Sequence, residues 1–363
     1  MRTPQPSAAR PDARAGLTRR RALAGAAALT LAPAGPALAQ TGAASAANTA
    51  NAAAPARLPR LVLAGPYAAV SYPLLRIVES GALADVADKV EFMPWKNPDQ
   101  LRALAVGQSA GFMAMPSNVA ANLYNRGVPL RLLNISAWGL LWMISRDAGL
   151  KTLADFRGKE VVMPFRGDMP DIVFRLLATR QGIAPDKDLT LRYVASPLDA
   201  MQLLLTRRAD HALLAEPAAS VGLRKSGSFP VSVVAPELHR SVSLQAEWGR
   251  VLQRPPRIPQ AGITALGPHA GNAALVARFQ QAYADALRWC QAEPAACGQM
   301  TARHIDMLTP EGVADSVRVD NAAFVTASAA RPELEFFFQQ LLARQPGLVG
   351  RKLPDDGFYL GGA

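Results

Sequence analysis

From about residue 58 to residue 238, short apolar runs alternate with stretches whose apolar residues recur every three or four positions. The runs Leu61–Ala64, Val90–Pro94, Phe112–Met115, Leu132–Ile135, Leu140–Ile144, Val161–Met163, Leu191–Val194, Ala212–Ala215 and Val231–Val234 read as strands. Between them, Pro73–Ser80, Pro98–Val106, Asn118–Asn125, Pro170–Gln181, Pro197–Arg207 and Ala218–Lys225 read as helices. Alternation of this kind, which holds almost throughout, predicts an α/β architecture with mainly parallel sheets and right-handed crossovers. Beyond Leu238 the pattern changes. One strand-like run, Gly262–Leu266, precedes helical sequence at Ala270–Glu293, Gln299–Ile305, Pro310–Val319 and Pro332–Ala343.

The pattern also repeats. LRALAVGQSAGFMAMPSNVA (101 to 120) and MQLLLTRRADHALLAEPAAS (201 to 220) each give a Leu/Ala-rich helix, a polar break and an apolar strand. Each then turns through a proline into another helix. Two such units a hundred residues apart suit two similar α/β lobes.

The first 56 residues fall outside this pattern. Arg19, Arg20 and Arg21 precede an alanine-rich apolar run to Leu31, and Ala37-Leu38-Ala39 supplies small residues at a cut before Gln40. A basic start, a short apolar run and an A-x-A site describe an export signal over 1–39, too short to span a membrane. The paired arginines favour the twin-arginine route over general secretion. No cysteine follows the cut, and residues 40–56 read as a disordered Ala-rich leader. Six arginines and one aspartate in the signal account for +5 of the formal +11, leaving the rest near +6. Those basic residues are scattered without a tract or interleaved aromatics, so no nucleic-acid footprint is present. The chain has two cysteines, Cys290 and Cys297. Seven residues of unbroken helix would hold them too far apart to bridge, but Pro294 should end the helix between them. A disulfide and two separate buried thiols therefore both remain open.

One long segment resembles a known family. LADFRGKEVVMPFRGDMPDIVF, the G-I-x-P-x-K-D turn at 182–188 and the run from Arg208 to Pro217 follow one another in the order seen in periplasmic substrate-binding proteins of ABC transporters. The subgroup is that of nitrate, sulfonate, taurine and thiamine-pyrimidine-precursor binders, and the likeness covers roughly residues 58–340. The chain departs from the family at Ala110-Gly111, where an aspartate is usual, and at Arg207, where glycine is common. The resemblance implies a type II periplasmic-binding fold with two α/β lobes and a cleft between them. Lobe 1 would comprise 57–145 plus 240–363 and lobe 2 146–239, joined by two hinge crossings. It further implies a periplasmic monomer without cofactor or metal. Its partners would be a small-molecule ligand, an ABC permease and its ATPase.

In open α/β sheets, ligands sit beyond the carboxyl ends of strands, where loops enter helices and offer unpaired N–H groups. The junctions here supply Tyr67, Ser71 and Tyr72, then Ser117 and Asn118, then Trp138. In lobe 2 they supply Arg166, Gly167, Asp168 and Glu216. Ser71 also reads as a helix cap, and Asp168 with Asp171 resembles a capping pair ahead of Pro170. Trp138 and Tyr67 offer flat surfaces for stacking, or simply pack. Acidic Asp168 and Glu216 disfavour an oxyanion such as nitrate and favour a neutral or cationic donor-rich ligand. An inward-pointing Arg166 would reverse that preference.

No catalytic constellation is evident. His211, His239, His269 and His304 lack metal-ligand spacing, and no nucleophile elbow, phosphate loop or dinucleotide fingerprint occurs. His211, in an apolar run, reads as a core or edge histidine. The sequence therefore favours a transport binder. The alternatives are an enzyme on the same fold, like the iron-dependent pyrimidine synthases, or a ligand sensor without a transporter.

Overall fold

The computed structural model describes residues 57–234 and 237–360; the stretches read as export signal and leader, and the last three residues, lie outside them. Eleven strands are described: β1 (Leu61–Pro66), β2 (Val90–Trp95), β3 (Phe112–Pro116), β4 (Leu130–Ala137), β5 (Leu141–Ser145), β6 (Glu160–Pro164), β7 (Thr190–Val194), β8 (His211–Ala215), β9 (His239–Ser243), β10 (Ala261–Leu266) and β11 (Ala322–Thr326). They form two sheets. One runs β11-β4-β10-β3-β1-β2, the other β7-β6-β8-β5-β9.

Leaving out β11, the two orders are the same. In each sheet, three parallel strands joined by helices are followed by one strand that runs antiparallel to both its neighbours: β10 between β3 and β4, and β5 between β8 and β9. That strand arrives directly from the other sheet. The sheets are therefore mixed rather than mainly parallel. β5 belongs to the second sheet, so the first crossing lies between Ala137 and Leu141 instead of after residue 145.

β10 has buried positions throughout, since it lies in the middle of its sheet with helices on both faces. It pairs so closely with β4 that a Cβ on Gly262 would fall 1.8 Å from the Asn134 carbonyl oxygen. The helix Ala273–Ala292 closes one face, with Phe279 stacked on Phe112 of β3 at 3.8 Å between ring centres.

Several elements differ from the sequence pattern. Val231–Val234 is a short helix, and Val233 is exposed, so this apolar run does not enter a sheet. The edge strand is instead β9, whose HRSVS sequence is half-buried and carries no clear alternation. β11 and the helix Leu244–Leu252 were likewise invisible to periodicity. The last long helix starts at Ala327, not Pro332. Thr326 caps it by accepting from Ala329 N–H, and buried Leu334, Phe337, Phe338 and Leu341 hold it across the proline.

As expected, the chain breaks at Pro294, between the helices Ala273–Ala292 and Pro294–His304. Cys290 and Cys297 are nevertheless free thiols rather than a disulfide, and both are buried. A hydrogen bond with Cys297, with burial adding to it, holds the Cys290 thiol protonated far above its ordinary range.

Gly262→Ala forces a methyl group into the β4 backbone. It should cost about 2–3 kcal/mol, the scale of core overpacking, read as a lowered urea midpoint with the slope unchanged.

Candidate ligand-binding cleft

The carboxyl ends of both sets of parallel strands converge on one cavity. The first sheet contributes Pro66, Trp95, Met115 and Pro116; the second contributes Phe165 after β6, Pro197 after β7 and Ala215 of β8. The crossings contribute Leu140 and Gln260. About 650 Å³ of unfilled space lies between these walls, part of it continuous with solvent. Tyr67, Lys96, Ser196 and Asp199 ring an adjoining, more polar mouth that shares Pro66, Trp95 and Phe165 with the chamber.

Among the described residues lining the chamber, only Asp168 and Gln260 bear polar side chains apart from the Trp95 indole. All three are engaged. Trp95 Nε1 donates to the Ala114 carbonyl at 3.0 Å, leaving its ring face for the cavity. Gln260 Oε1 accepts from Leu140 N–H at 3.1 Å. Both oxygens of Asp168 accept from Arg102 Nη2, at 3.1 and 2.9 Å. Arg102 stands on the helix Pro98–Val106 beside the first sheet, whereas Asp168 stands beside the second, so this ion pair bridges the cleft. Burial pushes the Asp168 carboxyl above the ordinary aspartate range, and Arg102 draws it part of the way back.

Phe165, at the centre of this wall, has φ of +57°, a left-handed conformation costly for a residue with a Cβ. Such strain persists where the surroundings overdetermine it, and it accumulates at binding sites.

The other sequence candidates scatter. Asp168 occupies the N-cap position of the helix Met169–Arg180 but makes no cap bond. Asp171 instead accepts from Gly167 N–H at 2.8 Å and from Arg175 at 2.7 Å. Gly167 is exposed, with φ of +74°. Arg166 points away over the Tyr193 ring at 5.1 Å, so it does not supply positive charge to the chamber. Ser71 also sits at a cap position without a cap bond, its Oγ buried and unpartnered. Tyr72 is buried, its hydroxyl 2.9 Å from Ser316 Oγ, and lines a different cavity. Ser117 donates to the Pro259 carbonyl at 2.6 Å, and Asn118 is buried with Oδ1 unpartnered. Neither lines the chamber. His211 is half-buried at the start of the central strand β8, opposite β5, with Nδ1 2.9 Å from Ser145 Oγ, so it is a satisfied histidine inside the sheet and not at its edge.

Two candidates have structural roles instead. Trp138 is buried at the first crossing, its Nε1 donating to the Ala323 carbonyl at 2.9 Å and the Arg257 guanidinium 4.7 Å above its ring. It does not line the chamber but packs at the crossing. There, Ile258 N–H donates to Trp138 O at 2.7 Å and Gln260 N–H to Ala137 O at 3.0 Å, tying the two crossings together. Glu216 is buried and accepts from Arg240 at 2.8 Å and from Ser220 N–H at 3.1 Å. Burial raises its carboxyl above the usual range, and Arg240 opposes the rise.

Sequence reasoning missed Trp95, Phe165, Gln260 and Arg102. The first two stand at strand ends, where the rule that located Asp168 would have found them. Arg102 had no signal: it lies on the polar side of its helix, and its partner is 66 residues away.

The strand order, the paired crossings and the cleft define the class: a two-lobed α/β protein of type II periplasmic-binding fold. No protein-family model and no curated protein matches the chain, but solved structures do. An ABC transporter protein of Parabacteroides distasonis aligns at 21% identity with a TM-score of 0.67, covering 84% of this chain and 99% of that one. The periplasmic nitrate-binding protein of Synechocystis PCC 6803 aligns at 14% identity and TM-score 0.61, over 80% and 84% of the two chains. The alkanesulfonate-binding protein of Xanthomonas axonopodis pv. citri, solved with MOPS, aligns at 14% and 0.58, over 83% and 96%. At these identities the likeness is one of fold.

The Arg102–Asp168 pair is partly solvated, and such pairs are worth ~1 kcal/mol. Arg102→Ala should therefore lower the urea midpoint by the equivalent of about 1 kcal/mol. Asp168→Asn, which leaves no buried charge behind, should change it less.

Arg240→Met strands the Glu216 carboxylate and should cost about 3–5 kcal/mol in urea unfolding at neutral pH. A carboxyl raised in the folded state loses stability as pH climbs from its unfolded to its folded value, and losing Arg240 raises the folded value further. The deficit should accordingly shrink as pH falls.

Proposed function

We propose that this chain is an exported solute-binding protein that takes one small organic ligand into the cleft, closes over it, and delivers it to the permease of an ABC importer. The observation that carries the reading is the chamber itself. Its walls come from the strand ends of both sheets, so a ligand within it touches both sides at once. Contacts made only in the closed form shift the open–closed balance toward it, with the paired crossings as pivot. Exposed lobe tips would then meet the permease, which works with its ATPase. The fold shared with a nitrate-binding and an alkanesulfonate-binding protein supports this assignment.

The chamber's chemistry supports a binder rather than an enzyme, since its two polar side chains are tied up in structural bonds. It also changes the expected ligand. The preference for a donor-rich heterocycle rested on a free Asp168 carboxylate, and Arg102 takes both its oxygens. What remains is proline, methionine and aromatic surface, which favours a ligand with an uncharged apolar body and any polar group at the mouth. The paired arginines near the N-terminus support periplasmic delivery through the twin-arginine route.

The test is native mass spectrometry of the protein purified from an exporting host, followed by a thermal-shift screen. The expected result is one small organic molecule per chain, with aromatic or aliphatic compounds raising the melting temperature and nitrate and short sulfonates leaving it unchanged. Trp95→Ala should weaken the binding of any hit about tenfold or more. A bound inorganic oxyanion would overturn the ligand class. A screen without any hit would overturn the binder itself.

A further inference from the structure

A second, smaller cavity lies behind the cleft, with Val70 lining both. It offers about 20 Å³ to the centre of a water-sized sphere, room for one occupant. Its polar lining comes from Tyr72, Ser136, Tyr283, Cys290, Gln291 and Asp320.

Counting protons on these groups fixes what the occupant must bring. Each hydroxyl has one proton to donate. Ser316 Oγ gives its proton to the Val313 carbonyl at 2.7 Å, so in the 2.9 Å pair it is Tyr72 that donates to Ser316. Tyr283 gives its proton to the Val70 carbonyl at 2.9 Å, so Ser136 donates to Tyr283 at 2.8 Å. Gln291, at the exposed rim, donates to the Ala322 carbonyl. Cys290 is engaged with Cys297. The three buried hydroxyls have thus spent their donors on the protein, and only lone pairs are left over. To these is added Asp320, whose Oδ1 is buried without any hydrogen-bond partner.

Among the described residues, no cation compensates that carboxyl. The charge felt most strongly there is Glu216, of the same sign and already bonded to its own Arg240. Burial and then Glu216 drive the Asp320 carboxyl well above its ordinary range, with the Asn321 backbone N–H opposing them. A cavity of acceptors around one unpaired carboxylate is complementary to a hard, singly charged ion. Water brings donors but no charge. A divalent metal wants more than one acid, and no group of three or more His, Cys, Asp or Glu suited to a metal occurs among the described residues.

We propose that Asp320, with the hydroxyl oxygens of Tyr72, Ser136 and Tyr283, binds one small monovalent cation of the sodium, potassium or ammonium type behind the cleft. The ion stands where a proton on Asp320 would otherwise have to sit. The site is separate from the ligand chamber and does not depend on what that chamber binds.

The test is the melting temperature of the full protein at pH 8 in equal concentrations of sodium, potassium, ammonium and N-methylglucamine chlorides. The expected result is a saturable rise with at least one of the small cations over N-methylglucamine, roughly 4 °C at a hundred times the dissociation constant. Asp320→Asn should abolish the rise, and Tyr283→Phe should shift it to higher salt. Equal melting temperatures in all four salts would overturn the site, as would a response that survives in Asp320→Asn. Should Asp320→Asn fail to fold, wild-type crystals soaked in thallium(I) decide the matter: an anomalous peak beside the Asp320 carboxyl supports the site, and its absence overturns it.

Discussion

The hydrogen bonds from Ile258 to Trp138 and from Gln260 to Ala137 hold together the two places where the chain changes sheets. The two crossings therefore run side by side. The neighbouring groups reinforce this. Gly139 turns at φ +145°, where a Cβ would strike Gln245 at 2.7 Å. The Gln260 side chain reaches back to Leu140, and Trp138 is held by Ala323 and Arg257. The cleft follows from this arrangement, because both sets of strand ends face the paired crossings, whose Leu140 and Gln260 are themselves part of the cavity walls.

Away from the crossings, the molecule treats charge and apolar surface differently. The chamber is floored with proline, methionine and aromatic side chains, while buried acids are matched with arginine: Asp168 with Arg102, Glu216 with Arg240, Asp171 with Arg175. Pairing each acid holds down the cost of taking it out of water, but it also removes it from service as a ligand contact. Asp320 is the exception. The residue is half-buried with its Oδ1 out of reach of water, no arginine is bonded to it among the described residues, and it sits against a cavity whose hydroxyls have no protons to spare.

Much of the fold could be read along the chain because it rests on local patterns. The repeated helix–strand–helix at 101–120 and 201–220 proved to be the same piece of each sheet, ending in β3 and β8 at equivalent places in the two strand orders. β9 and β11 escaped notice because edge strands need only be half-buried, so HRSVS and AAFVT carry no alternation. The site was harder still. Position at a strand end drew attention to Asp168, which lines the chamber, but the same rule also returned Trp138, Glu216 and Tyr72, whose surroundings turn them to structural work. What separates these cases is a partner distant in sequence, and one chain read alone does not reveal partners.

The strand order also has a consequence for the time at which each half can assemble. β10 lies between β3 and β4 in the first sheet, yet it is made only after every strand of the second. A growing chain therefore holds β1, β2 and β3 side by side, with β4 cut off from them by the place of the missing β10, while β5 to β9 emerge as one uninterrupted segment. The second sheet can complete itself during synthesis; the first must wait for residues 261–266. The half that contains the N-terminal strand is the last to close.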